Sequence, residues 1–148
     1  SNPRLSSALI RPASAVACFA PLSSICAPRC RRRCCLQGIP ELQRLTSTVR
    51  DQHSVDHHTL SAMLFTRTGS IHNAAGIDLA NIVDRIGAGD AFAAGVLHGI
   101  ITGMDDGGAL RFGLAAACLK HSIPGDFNLS SVTDVMDLTE AARFDVRR

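Results

Sequence analysis

The 148-residue sequence contains no tryptophan and no tyrosine, and only 4% of its residues are aromatic. Its arginines therefore lack interleaved aromatic side chains that could stack on unpaired bases, which argues against a nucleic-acid binder. No apolar run reaches the roughly 18 residues that a membrane-spanning helix needs. We therefore predict a soluble protein that binds neither nucleic acid nor a membrane.

Acidic residues are absent from positions 1–40, which contain six arginines, whereas the remainder has nine basic and thirteen acidic residues. Five of the six cysteines also lie in this first part, and only Cys118 follows it. An odd cluster of cysteines does not form a balanced disulfide framework, so we expect a reduced, cytoplasmic protein. We predict a disordered basic segment at 1–44 and one domain at 45–148. A transit peptide or a basic binding segment is the alternative for 1–44.

A corner rich in glycine, residues 84–90, joins an apolar run to a helical run. The small residues Gly87, Ala88 and Gly89 let the backbone turn tightly and bring its N–H groups close to an anion. The helix that follows adds the positive end of its dipole. Asp90 would repel an anion held there, so a substrate hydroxyl is its natural target. The alternative is an ordinary helix N-terminus capped by Asp90 or by water.

This glycine corner resembles the C-terminal signature of the ribokinase-like (PfkB) carbohydrate kinases. The residues that carry the resemblance run Asp84-x-x-Gly87-Ala88-Gly89-Asp90-Ala91-Phe92. Such kinases move the γ-phosphoryl group of ATP to a sugar hydroxyl, so the resemblance implies ATP and Mg²⁺. It also implies that Asp90 is the catalytic base and that the backbone N–H groups of Gly87, Ala88 and Gly89 hold the phosphate. Asp84 would help to hold a monovalent cation such as K⁺, or would only cap the turn.

The elements around the corner predict an α/β protein. Extended runs at 60–65 and 71–74 predict a hairpin, and a strand at 78–83 would lead into the corner. The next helix carries an apolar stripe of Phe92, Val96, Leu97, Ile100 and Ile101 and ends near Gly103. Two further helices are predicted, one capped by Asp105 or Asp106 and ending before 124–125, and one opening at 131–134. By resemblance, this is the incomplete C-terminal part of a ribokinase-like, Rossmann-like αβα layered fold.

The resemblance extends over about 46–136, and the motifs that bind the sugar in these kinases are not found before it. The sequence therefore predicts an incomplete carbohydrate kinase, with a sugar or sugar acid of the 2-keto-3-deoxygluconate type as the favoured acceptor. The alternatives are a non-catalytic remnant that binds nucleotide weakly or acts only as an interaction module, and a binding function that resides in 1–44. The sequence leaves a homo-oligomer open.

Overall fold

The computed structural model describes residues 41–145 and, within them, three strands and three helices. In chain order these are β1 (Arg44–Gln52), β2 (His58–Thr66), β3 (Ile71–Leu79), α1 (Ala88–Ile101), α2 (Asp106–Lys120) and α3 (Val132–Asp145). Residues 1–40 of the predicted basic segment lie outside the described residues. Packing begins before position 45, because Leu42 is buried and Arg44 opens β1. The division at 44/45 stays a prediction.

The strands form one antiparallel sheet in the order β1-β2-β3. Central β2 alternates in burial, and its inward residues His58, Leu60, Ala62 and Leu64 are all buried. This alternation follows from the two-residue period of a strand with one face toward the core. Phe65 of β2 pairs with Ile71 of β3, which confirms the predicted hairpin.

The strand predictions omitted β1 and placed the end of β3 incorrectly. β1 was not predicted, because it is largely polar and only Leu45 and Thr46 along it are buried. The predicted strand at 78–83 is wrong beyond Leu79, where β3 ends. Asn81 has a φ of 58°, a left-handed conformation that cannot continue a strand, so 80–83 belong to the loop that enters the corner.

The helices pack against the sheet mainly through large apolar side chains, and α1 and α2 approach each other through small residues. Leu60, Leu64 and Ala74 of the sheet share one core with Phe92 of α1 and Leu110 of α2. The buried face of α1 consists of Ala88, Ala91, Phe92, Gly95, Val96 and Gly99. The predicted stripe is therefore wrong at Leu97 and Ile101, which are 36% and 82% exposed, because much of the inward face is formed by Ala88, Ala91, Gly95 and Gly99.

The remaining helix predictions are confirmed. Asp105 is the N-cap of α2 and accepts a 3.0 Å hydrogen bond from the Gly108 N–H. At the start of α3, Ser131 and Asp134 exchange hydrogen bonds, with the Ser131 N–H donating to Asp134 Oδ2 at 2.8 Å. Cys118 of α2 is a buried apolar residue, as predicted, and burial raises the pKa of its thiol to about 12. Among the described residues, no helix is long and apolar enough to cross a membrane.

Candidate functional site

The loop that leads from β3 into α1 is fixed to the body of the protein by its backbone. The Ile82 N–H donates to the Asp56 carbonyl at 3.2 Å, in the turn between β1 and β2. The N–H groups of Val83 and Asp84 both donate to the His121 carbonyl, at 2.9 and 3.2 Å, just after α2. The glycine corner is therefore held from two sides before α1 begins.

Gly87 forms the last residue before α1 and occupies a position that admits no side chain. Its backbone lies in the left-handed region, with φ 76° and ψ −5°. A Cβ there would lie 2.5 Å from the carbonyl oxygen of Asp126, so a side chain would be excluded even if the backbone strain were tolerated. The small residue thus allows the corner to pack directly against the loop 121–126.

The first turn of α1 presents backbone N–H groups that other residues leave available. Within residues 41–145, the N–H groups of Gly87 and Gly89 have no hydrogen-bond acceptor, whereas the Ala88 N–H donates to the Arg85 carbonyl at a long 3.4 Å. No side chain caps this helix, and Gly89 is exposed. Free N–H groups and the helix dipole together favour an anion at this end of α1. Binding of phosphate by the three predicted N–H groups stays a prediction.

Asp90 lies in the first turn of α1 and is exposed to solvent. Its carboxylate forms no hydrogen bond or ion pair with any residue that the structure describes. The alternative interpretation, in which Asp90 caps its own helix, therefore has no support from the geometry. The carboxylate is free to accept a proton from a hydroxyl group brought to the corner, which is the role predicted for it.

Asp84, by contrast, has both carboxylate oxygens engaged. Oδ1 accepts from the Ile86 N–H at 3.0 Å, within the turn, and Oδ2 accepts from the Gly125 N–H at 2.9 Å, across to the loop 121–126. These two bonds, that of Ile86 first, lower the pKa of the carboxyl. Asp84 is therefore the capping residue that joins the corner to the loop. Its role in holding a monovalent cation stays a prediction.

No site residue after the corner was predicted from the sequence, so Lys120 was missed. This last residue of α2 is fully buried, and its Nζ donates to the carbonyls of Ile123 and Gly125 at 2.9 and 2.6 Å. One signal in the sequence could have identified it, because Lys120 is the only lysine of the chain and directly follows the apolar run 114–119. A basic residue at that position can hydrogen-bond the carbonyls beyond a helix end.

Two buried histidines lie behind the corner. His58 of β2 and His121 after α2 are 0% and 2% exposed, and their ring centroids are 5.1 Å apart. His121 Nδ1 lies 2.7 Å from the Ala117 carbonyl, but its Nε2 and both ring nitrogens of His58 have no hydrogen-bond partner. Burial is the main cause that lowers the pKa of His58 from 6.5 to about 4 and also lowers the pKa of His121. Both rings are therefore neutral near pH 7.

Metal ligands do not gather around this site. Among the residues that the structure describes, no group of three or more His, Cys, Asp or Glu side chains could hold a metal ion. Mg²⁺ bound here would have to take most of its ligands from phosphate oxygens and water, which is the usual way in which this ion binds with nucleotides. The open N–H groups of the corner are compatible with such a complex.

The comparisons with known proteins fall on this same region. The model of the pfkB family carbohydrate kinase matches residues 60–131, which include both the corner and the loop 121–126. A 2-dehydro-3-deoxygluconokinase of Bacillus subtilis is 43% identical over 47 residues, which are 32% of this chain and 14% of that protein.

Solved structures agree with the sequence relatives. A PfkB family carbohydrate kinase from Listeria grayi superposes with a TM-score of 0.73 at 31% identity, over 84% of this chain and 41% of that one. The 2-dehydro-3-deoxygluconokinase from Thermotoga maritima gives a TM-score of 0.66 at 33% identity, over 72% of this chain and 31% of its own. The predicted α/β class and its ribokinase-like relationship are thus confirmed. The chain spans less than half the length of these relatives.

Proposed function

From the match of residues 60–131 to the pfkB family of carbohydrate kinases, we propose that the protein transfers the γ-phosphoryl group of ATP to a hydroxyl of a sugar acid. The observation that carries the proposal is the unpaired, exposed Asp90 in the first turn of a helix whose leading N–H groups are free. Under this proposal, Asp90 would act as a base next to N–H groups that can bind an anion. The names of the relatives support an acceptor of the 2-dehydro-3-deoxygluconate class.

The role proposed for each residue follows from the chemistry of phosphoryl transfer. The protein does little covalent chemistry in this reaction, so positioning and stabilisation of charge dominate. The N–H groups of Gly87, Ala88 and Gly89 would hold the phosphate oxygens as negative charge builds, each contributing on the order of 3 kcal/mol. Asp90 would orient the attacking hydroxyl and accept its proton. ATP, when bound with Mg²⁺, supplies the phosphoryl group and partial neutralisation of its charge.

Replacement of the base tests this proposal. Asp90→Asn keeps the size and polarity of the side chain but removes its capacity to accept a proton, so kcat should fall about 10²-fold or more, while the KM for ATP changes little. The measurement is ADP release with Mg²⁺·ATP and 2-dehydro-3-deoxygluconate, with fructose as a comparison acceptor. Asp137→Asn is the matched control, because Asp137 is also an exposed carboxylate but belongs to α3 and not to the corner.

Three outcomes distinguish the candidate functions. Turnover that depends on Asp90 and not on Asp137 supports the proposed kinase activity. Binding of Mg²⁺·ATP without turnover by the 148-residue chain favours the second candidate, a nucleotide-binding module without catalysis. Turnover that survives Asp90→Asn at the wild-type rate would exclude Asp90 as the base.

A further inference from the structure

Lys120 occupies an unusual environment for the only lysine of the chain. The other fourteen basic residues are arginines. An ammonium group taken out of water needs hydrogen-bond acceptors, and Lys120 finds them in the carbonyls of Ile123 and Gly125. The ammonium group of Lys120 is compact and has three N–H donors, unlike the planar guanidinium group of arginine. Backbone carbonyl oxygens that converge on a compact cation are also how proteins replace the hydration shell of K⁺.

One residue connects this ammonium group to the glycine corner. The carbonyl of Gly125 accepts the 2.6 Å hydrogen bond from Lys120, and the N–H of the same residue donates to Asp84 at 2.9 Å. The neighbouring carbonyl, that of Asp126, lies against Gly87. The ammonium group of Lys120 and the carboxylate of Asp84 thus both bind the backbone of Gly125, in the loop 121–126 that packs against the corner.

A dissociable monovalent cation beside Asp84 would compete for these same groups. Both oxygens of Asp84 already accept N–H donors, and the carbonyls of Ile123 and Gly125 already accept the ammonium group. The oxygens that could bind a monovalent cation here thus already accept donors from the chain itself, and the ammonium group of Lys120 is one of these donors. A K⁺ at this position would have to share these oxygens with Lys120.

We propose that the ammonium group of Lys120 is a tethered internal cation, a positioning group that fixes the loop 121–126 against the glycine corner and makes phosphate binding there independent of added monovalent cations. The proposal rests on the proposed function only in taking the corner as a phosphate site. The position of the loop, which Lys120 controls directly, can be measured without nucleotide.

The test compares the wild-type chain with Lys120→Met at constant ionic strength, in KCl, NH₄Cl or N-methyl-D-glucamine chloride. The first measurement is the melting temperature without nucleotide. We expect the wild type to melt at the same temperature in all three salts, and Lys120→Met to melt lower in N-methyl-D-glucamine chloride and to recover in KCl or NH₄Cl. Methionine keeps much of the length of the side chain and removes its charge, so the recovery reports a cation that enters the vacated position.

The second measurement is the affinity for Mg²⁺·ATP in the same salts. The wild-type Kd should change less than twofold, whereas that of Lys120→Met should rise about tenfold in N-methyl-D-glucamine chloride and return toward the wild-type value with K⁺. Ser122→Ala is the control, since it removes another hydrogen bond at this helix end, from Ser122 Oγ to the Leu119 carbonyl, without removing charge. It should show no dependence on the monovalent cation.

The inference would be overturned if K⁺ stabilised the wild type, or if Lys120→Met showed no specific recovery with K⁺ or NH₄⁺. If Lys120→Met fails to fold in every salt, the wild-type comparison decides alone: a K⁺-dependent melting temperature overturns the proposal, and its absence supports it. Failure of the wild type to bind Mg²⁺·ATP in any salt would count against the proposed function but not against the tethered cation, which the melting temperatures test separately.

Discussion

At the scale of single residues, Gly87 is the position where the backbone and its surroundings impose the same requirement. Its φ of 76° disfavours any residue with a Cβ, and the Asp126 carbonyl occupies the place of that Cβ. Gly103 provides a matched comparison, since its φ of 84° is similar but nothing lies within 4 Å of the added atom. Comparison of alanine substitutions at these two glycines therefore separates the cost of backbone strain from the cost of the collision with Asp126.

We expect Gly87→Ala to lower the free energy of unfolding by about 2–4 kcal/mol, because strain and collision add, and Gly103→Ala to lower it by only about 1–2 kcal/mol from strain. Urea unfolding measures both. The alanine at 87 should also weaken the binding of Mg²⁺·ATP, because relief of the collision must move either the corner or the loop 121–126. Equal destabilisation by the two substitutions would show that the contact with Asp126 contributes nothing.

The place of the corner at the start of α1 was predictable from the sequence, but the partners of its residues were not. Two glycines and two aspartates at fixed offsets carry the resemblance from which their roles were predicted, and those roles stay predictions. That Asp84 reaches Gly125, 41 residues away, depends on how the chain folds back, and no local pattern encodes it. Lys120 was missed for a different reason. Its acceptors lie only three and five residues further along the chain, but a basic residue at a helix end is ordinary and does not by itself indicate a site.

At the scale of elements, the close contact of α1 with α2 depends on Gly113. A Cβ on Gly113 would lie 2.4 Å from Val96 Cγ2 and 2.8 Å from the Phe92 carbonyl oxygen. Phe92 lies about one turn after the free N–H groups of the corner. The packing of α2 against Phe92 therefore also fixes the direction of the first turn of α1. The contact therefore matters for the site as well as for stability.

Gly113→Ala should lower the free energy of unfolding by about 1–3 kcal/mol, although alanine favours a helix over glycine by about 1 kcal/mol. Gly107→Ala, in the first turn of the same helix, is the control. Its nearest neighbour would be the flexible end of Arg111 at 3.3 Å, so the gain in helix propensity should prevail or nearly cancel. Chemical denaturation of both variants gives the comparison. A stabilised Gly113→Ala would mean that the helices can separate at little cost.

The elements themselves were predicted in proportion to their local signals. Capping residues and apolar periodicity located α2 and α3, and turn residues located the β2–β3 hairpin. β1 was missed, because an edge strand that buries only Leu45 and Thr46 has almost no alternation. The end of β3 was misplaced, because Ile82 and Val83 are apolar in a loop, where Val83 is 61% exposed. The exposed side of α1 could not be inferred from a helix that is apolar nearly all round.

At the scale of the whole molecule, the buried histidines make stability depend on pH. Burial is the largest cause of the lowered pKa of His58, and repulsion from Arg50 of β1, Arg85 of the corner, and the rings of His121 and His57 when they are protonated lowers this pKa further. The folded protein therefore resists protonation of His58 until about pH 4, whereas the unfolded chain takes up that proton near pH 6.5.

Because the unfolded state binds the proton first, stability is fully present above pH 6.5 and is lost as the pH falls toward 4. The loss due to His58 should be on the order of 1–2 kcal/mol between pH 7 and pH 5, and His121, whose pKa shifts in the same direction, adds to it. Unfolding by urea at a series of pH values measures this slope directly.

His58→Phe should remove much of the slope while preserving the fold. Phenylalanine fills a similar volume, keeps an edge contact with the His121 ring, and leaves no unpaired ring nitrogens in the core, so stability at pH 7 should stay within about 1 kcal/mol of the wild type or rise. His53→Phe is the control, because His53 is exposed at the end of the sheet and hydrogen-bonded to Thr59. If His58→Phe keeps the full acid sensitivity while His53→Phe reduces it, the buried pair is not its source. The loss of stability in acid would then come from exposed groups such as His53.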